Sequence, residues 1–167
     1  MTPQATPVIR PATVDDLEAI NAIYNYYVQT STCTYDYDPC SPAERLAWFE
    51  EHGPAHPVTV AECDGQVVGW GSLSPFRSRR GYRHTVENSI YIRHDRHRRG
   101  LGRAILLDQI ARARAAGHHV LVAGISAEQT ASIRLHEAHG FVHAARLKEV
   151  GRKFDQWLDV VFMQLIL

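Results

Sequence analysis

The sequence predicts a mixed α/β domain, one central sheet with helices packed on both faces. Three observations carry this. Short β-type apolar runs are interleaved with amphipathic segments of helical period along the whole chain. Two neighbouring runs flank Asp64-Gly65, a two-residue hairpin signal. The resulting order, β-α-α-β-β-β-α-β-α-β-β, fits neither a TIM barrel nor a regular Rossmann repeat.

The elements follow from local chemistry. Pro7 to Ala12 reads as a first strand ended by Thr13, an N-cap for a helix beginning at Asp15-Asp16. Leu17, Ile20, Ile23, Tyr24 and Tyr27 recur there at helical spacing. Thr30 to Pro39 is a mixed aromatic and polar loop. Ser41-Pro42-Ala43-Glu44 opens a second helix with a capping-box pattern, and that helix ends near Gly53-Pro54. Val58 to Glu62 and Gln66 to Leu73 form the hairpin, an arginine-rich loop spans Pro75 to Arg83, and Thr85 to Ile92 is the next strand. Gly100 to Ala116 carries Leu101, Ile105, Leu106, Ile110 and Ala113 on one side, a helix closed by Gly117. His119 to Ile125 is a buried-type strand, Ser126 to His139 a helix closed by Gly140. Two last strands, Phe141 to Val150 and Trp157 to Ile166, flank a turn at Gly151 to Gln156.

The 167 residues, 45% apolar and 22% charged, suit a single globular domain over 1–167. No apolar stretch approaches the roughly 20 residues of a membrane span. Met1 to Pro7 is polar, without a signal core, so the expectation is a cytoplasmic protein with no membrane partner. Cys33, Cys40 and Cys63 have no metal-ligand spacing and read as reduced thiols. His94/His97 and His136/His139 bring no carboxylate or cysteine in a ligand pattern, so no metal is expected.

Net charge is zero, yet nine arginines against Glu87 and Asp95 make the segment Arg77–Arg103 formally +7. That points to a local anion site and away from a nucleic-acid-coating surface. Within it, Ser89-Ile90-Tyr91-Ile92 leads into Arg96-His97-Arg98-Arg99-Gly100-Leu101-Gly102-Arg103 and then a helix. A glycine-punctuated turn at a helix N-terminus aims several backbone N–H groups at one spot, where the dipole favours a pyrophosphate. The lysine of a nucleotide P-loop is missing, and so is the third glycine of the dinucleotide fingerprint.

His97-Arg98-Arg99-Gly100-Leu101-Gly102 resembles motif A of the general N-acetyltransferase (GNAT) superfamily, Gln/Arg-x-x-Gly-x-Gly/Ala, with His97 at the Gln/Arg position. Tyr82-Arg83-His84-Thr85-Val86-Glu87 and Ser89-Ile90-Tyr91-Ile92 resemble the Tyr-x-x-Thr-Val-Glu-x-Ser-Val-Tyr-Val block of phosphinothricin N-acetyltransferases. Thr30-Ser31-Thr32, Ser132 to Phe141 and Trp157-Leu158-Asp159-Val160 extend that likeness over Val8 to Leu165. Val150-Gly151-Arg152-Lys153-Phe154 and Phe162-Met163-Gln164-Leu165 are similar to relatives acting on methionine sulfoximine and methionine sulfone.

The resemblance implies coenzyme A in a splay between two parallel central strands. Ile90, Tyr91 and Ile92 would meet the pantetheine arm, and residues 97–103 with Arg103 the phosphates. An asparagine before the Ala-Ser pair often contacts the cofactor in this family; here that place falls to Gln129 or Thr130. The implied reaction is transfer of acetyl from acetyl-CoA to the primary amine of a small amino-acid-like substrate. Glu87 matches the general base. His136 stands where many members carry a tyrosine acid, and imidazole serves either as that acid or as a packing group. Arg77, Arg79 and Arg83 suit a substrate anion, with Tyr35, Phe76, Tyr82 and Thr85 around it. The family implies a homodimer. The alternatives are a GNAT enzyme acting on another amine, such as a protein N-terminus, or a non-catalytic acyl-CoA-sensing module. A polycationic aminoglycoside fits the arginine-rich loop poorly.

Overall fold

A seven-stranded sheet runs in the order β1-β2-β3-β4-β5-β7-β6. The computed structural model describes residues 7–167; the polar stretch Met1–Thr6 lies outside them. The strands are β1 (Val8–Pro11), β2 (Val58–Cys63), β3 (Gln66–Pro75), β4 (Thr85–Ile92), β5 (Val120–Ser126), β6 (Val142–Lys153) and β7 (Gln156–Ile166). The helices are α1 (Leu17–Thr30), α2 (Pro42–Glu50), α3 (Leu101–Ala115) and α4 (Thr130–Glu137). Every neighbouring pair is antiparallel except β4 and β5, which run parallel.

The alternation within the strands places helices on both faces. Val58 and Val60 of β2 and Trp70 of β3 pack against Leu17, Ile20 and Ile23 of α1. Ala61 and Val68, on the opposite face, pack against Leu101 and Ile105 of α3. Helix α3 sits very close to β3: a Cβ built at Gly71 would lie 2.6 Å from both Gln109 Nε2 and Ile105 Cγ2. Glycine is thus required there by space alone.

Local capping explains the helix starts. Ser41 Oγ accepts from the Glu44 N–H at 3.2 Å while the Glu44 carboxylate accepts from the Ser41 N–H at 2.8 Å, the reciprocal box the sequence predicts. The Thr13 N–H donates to Asp16 at 2.7 Å, but the turn it caps, Val14–Asp16, is 3-10, and the α-helix proper begins at Leu17. Arg10 of β1 holds that same carboxylate at 2.7 Å, which tightens the turn from outside it.

Two boundaries in the C-terminal part also move. The last helix begins at Thr130 and not Ser126, because Ser126 completes β5 and the Ala127 N–H donates to Asp159 O of β7 at 2.9 Å. The final turn is Phe154-Asp155, both at positive φ, the two-residue geometry that matches strand twist. Strand β6 therefore continues through Gly151 to Lys153, with irregular register between Leu147 and Gly151. Gly151 serves packing instead: a Cβ there would meet the Tyr35 ring at 2.4 Å. Lys153, 1% exposed, donates to Ser31 O at 2.8 Å and Thr34 O at 2.7 Å, tying the α1–α2 loop to this hairpin.

Candidate active site

Strand β4 pairs with β5 only at Thr85↔Val120, Val86↔Leu121 and Glu87↔Val122, although both strands run on. Its other edge stays paired with β3 from Val86 to Ile92. The backbone edge of Asn88–Ile92 facing β5 therefore leaves the ladder, and an open wedge begins at Glu87. Gly124 of β5 is exposed although its strand is central. A Cβ built there would lie 2.9 Å from Glu87 Oε1 and 3.3 Å from Phe162 Cε1. The missing side chain gives the Glu87 carboxylate its room.

Glu87 is half-buried. Burial pushes its carboxyl above the usual range, with no opposing partner charge or hydrogen bond among the described residues. A carboxylate in that setting is a better proton acceptor than one in water.

From Ile92 the chain passes through a 3-10 turn, His94–Arg96, to Arg98 at φ 59° and Gly100 at φ 76°, and then α3. The left-handed Gly100 folds the chain so that the first N–H groups of α3 point outward together, free of intrahelical partners. Gly102 lies against α4, where a Cβ would approach Leu135 Cδ2 at 3.3 Å. Arg93 and Arg96 share the one carboxylate of Asp95, at 2.7 and 3.6 Å. Arg98, Arg99 and Arg103 are exposed and have no carboxylate partner among the described residues. A phosphate at the helix terminus would meet these three cations and the aligned N–H groups, so the residues present fit a pyrophosphate.

The acetyltransferase (GNAT) family profile matches residues 20–141, from within α1 to the residue before β6. This chain belongs to the GNAT acetyltransferase family. It is 44% identical over 158 residues to the L-amino acid N-acyltransferase MnaT of Escherichia coli, covering 94% of this chain and 92% of that one. It is 44% identical over 159 residues to the L-methionine sulfoximine/L-methionine sulfone acetyltransferase of Pseudomonas aeruginosa, with the same coverage of 94% and 92%. Among solved structures, a phosphinothricin acetyltransferase of Sinorhizobium meliloti in complex with acetyl-CoA superposes with a TM-score of 0.94 at 36% identity. That likeness covers 98% of this chain and 89% of that one. Like other members of its family the chain is an N-acetyltransferase.

Within this GNAT fold the remaining predicted site residues fall into three groups. Ile90, Tyr91 and Ile92 lie along the wedge on β4. The Tyr91 ring turns to the α1 face, stacked on Trp70 at 4.8 Å and edge-on to Tyr24 at 5.2 Å, so only backbone remains toward the open edge. His97 Nε2 lies 2.6 Å from Tyr27 Oη and 3.3 Å from Ile92 O, its ring parallel to that of Tyr27. Its side chain ties the turn to α1 and the end of β4. Gln129, before the first turn of α4, donates to Thr32 Oγ1 at 3.3 Å.

The second group surrounds the β3–β4 loop. Phe76 and Tyr82 meet edge to face at 5.8 Å, and the Arg77 guanidinium covers both, at 5.2 and 5.9 Å. Arg79 is exposed, while Arg83 Nε donates to His84 Nε2 at 2.9 Å. Thr85 begins β4 beside them. Tyr35 stands apart, laid on Gly151 of β6, its hydroxyl buried and without a hydrogen-bond partner among the described residues. The third group is His136 alone, 3% exposed on α4, its Nδ1 2.8 Å from Ser132 O and its Nε2 3.1 Å from Asn88 Nδ2. Burial lowers its pKa.

Sequence reasoning missed Gly124, Asn88 and Gln109. For Gln109 a signal existed: an amide on the buried stripe of α3, between Ile105/Leu106 and Ile110/Ala113. Gly124 carried none, since its role depends on a neighbouring strand.

Proposed function

We propose that the chain is an acetyl-CoA-dependent N-acetyltransferase of small amino-acid-like primary amines, such as methionine sulfoximine, methionine sulfone or phosphinothricin, with Glu87 as general base. The observation that carries this reading is the free, half-buried Glu87 carboxylate at the point where β4 parts from β5. The relatives' substrates support the substrate class. The substrate amine is mostly protonated at neutral pH. Glu87 takes a proton from it, directly or through a water, and the freed nitrogen attacks the thioester carbonyl. The carbonyl oxygen gains charge beside those N–H groups of Asn88–Ile92 that point away from β3. The C–S bond then breaks and the acetyl group stays on nitrogen; the extra proton of that nitrogen passes to the departing sulfur, so coenzyme A leaves as thiol, and the proton first taken by Glu87 is released to water.

Residues 97–103 would hold the phosphates through backbone N–H groups, with Arg98, Arg99 and Arg103 supplying charge. His97 contributes by fixing the turn. Of the two roles open to His136, packing is the better supported, because both ring nitrogens are engaged inside the protein. Arg77, held flat over two rings, is the best-placed partner for a substrate anion, with Arg79 next to it and Tyr82 and Phe76 as walls. No helix of the described residues is long and apolar enough to cross a membrane, and they hold no group of three metal-ligating side chains.

The chain acts as a single domain in this reading, in the cytoplasm, where its three free thiols would remain reduced. A homodimer has a natural surface: edge strand β6 exposes Val142, Leu147 and Val150, and Phe154 and Trp157 continue the patch. The test is thiol release from acetyl-CoA with those three amines, ordinary amino acids and an N-terminal peptide. Turnover of an amino-acid analogue, lost by a factor of about 100 or more in Glu87→Gln while acetyl-CoA binding persists, is the expected result. Bound acetyl-CoA with no turnover of any amine would favour the sensing module instead.

A further inference from the structure

A chain of buried amides runs from β3 and β4 through α3 to α4, beside the point where the wedge opens. Gln109 of α3, 2% exposed, donates from Nε2 to Ser72 O of β3 at 3.2 Å and to Ser89 O of β4 at 2.8 Å. Both of its protons are thereby used, and its Oε1 faces Asn88 Nδ2 at 3.1 Å. Asn88, 7% exposed, must present its NH2 there, since an oxygen in that place would oppose an oxygen. The second Asn88 proton then goes to His136 Nε2 at 3.1 Å, which makes that nitrogen an acceptor. His136 must carry its own proton on Nδ1, donated to Ser132 O at 2.8 Å. Two strand carbonyls thus dictate, through two amides, the tautomer of a histidine on α4.

The position of this chain gives it a task. Asn88 directly follows the last residue of β4 paired with β5, so its amide anchors β4 to the helices where the ladder to β5 ends. They tie the strand bearing Glu87 to α3, whose N-terminus forms the phosphate turn, and to α4, which packs on Gly102. Space for the amide is reserved by Gly71, whose Cβ would strike Gln109 Nε2 at 2.6 Å. We infer that Gln109 and Asn88 are positioning residues: they hold the wedge open at a fixed width and set the Glu87 strand in register with the coenzyme A turn, with His136 as their terminal acceptor. This rests on the acetyltransferase reading of the same site.

The test is Gln109→Met in the full chain, which keeps length and burial but offers no amide. Acetyl-CoA affinity by titration calorimetry falls at least tenfold, and kcat with an active amine falls at least tenfold, while the KM for that amine stays within threefold. Adding Asn88→Leu costs less than the product of the two single effects, since both break one chain. Calorimetry needs no acceptor, so an unidentified amine leaves this outcome readable; absent acetyl-CoA binding in the wild type would instead sink the acetyltransferase reading. A folded Gln109→Met with acetyl-CoA affinity and kcat within twofold of wild type overturns the proposal. If Gln109→Met does not fold, His136→Gln and His136→Phe decide. Glutamine offers Asn88 an acceptor and phenylalanine none, so the phenylalanine variant must bind acetyl-CoA at least fivefold more weakly. Equal affinities overturn the proposal.

Discussion

Replacing Gly124 by alanine separates stability from activity at Glu87, the proposed base. The built Cβ lies 2.9 Å from Glu87 Oε1, and ordinary contact begins near 3.4 Å, so the carboxylate must retreat by about half an ångström. The obstructing atom is the far end of a flexible side chain, and Phe162 Cε1 at 3.3 Å needs only a slight adjustment. Gly124 does not use a positive φ, so alanine is compatible with the backbone and restricts the unfolded chain, a gain of about 0.4–1 kcal/mol. The stability change is therefore small and within about 1 kcal/mol of zero. Activity has no such tolerance, because a misplacement of 1 Å can cost about 100-fold. Half of that displacement predicts roughly a tenfold loss in kcat, about 1.4 kcal/mol of barrier. Thermal melting and thiol release on one preparation read both quantities. A Gly124→Ala enzyme with kcat within twofold of wild type would refute the placement of the base against β5.

Further outcomes follow from the same geometry. Activity falls on acidification as Glu87 is protonated, and since burial raises its pKa the fall in kcat/KM sets in above pH 4.5, the value of a free glutamate; a pH profile checks this. The same shift works against stability: protonation of Glu87 favours the fold below pH 4.5, and that advantage is lost as pH rises through the raised folded value. Glu87→Gln is accordingly more stable than wild type at neutral pH, with the difference closing below pH 4.5, as melts at several pH values will show. Lys153→Met strips the donors from Ser31 O and Thr34 O. The loss is about 1–3 kcal/mol, or about 2–12 °C in a melt, and the looser α1–α2 loop raises the KM for the amine.

Much of this molecule was legible in one dimension. Strand β4 falls on Thr85–Ile92 as read, because its apolar pattern is bounded by a polar loop and a basic turn. The Ser41/Glu44 box, the glycine turn before α3 and the apolar stripe of α3 are local features, each written within a few residues. The likeness around Thr85-Val86-Glu87 pointed to the family that the profile match then established.

What the fold alone decided depends on contacts far apart in the chain. The ring of His97 turns to Tyr27, 70 residues away, and Asn88 reaches Gln109 and His136 across 21 and 48 residues. The wedge is visible only in the register of β4 on β5, and the room for Glu87 only in the strand beside it. Periodicity and capping report what a residue buries and how its own turn closes. They are silent on which distant atom will stand within hydrogen-bond reach, and the wedge, the setting of Glu87 and the tautomer of His136 are all decided by such neighbours.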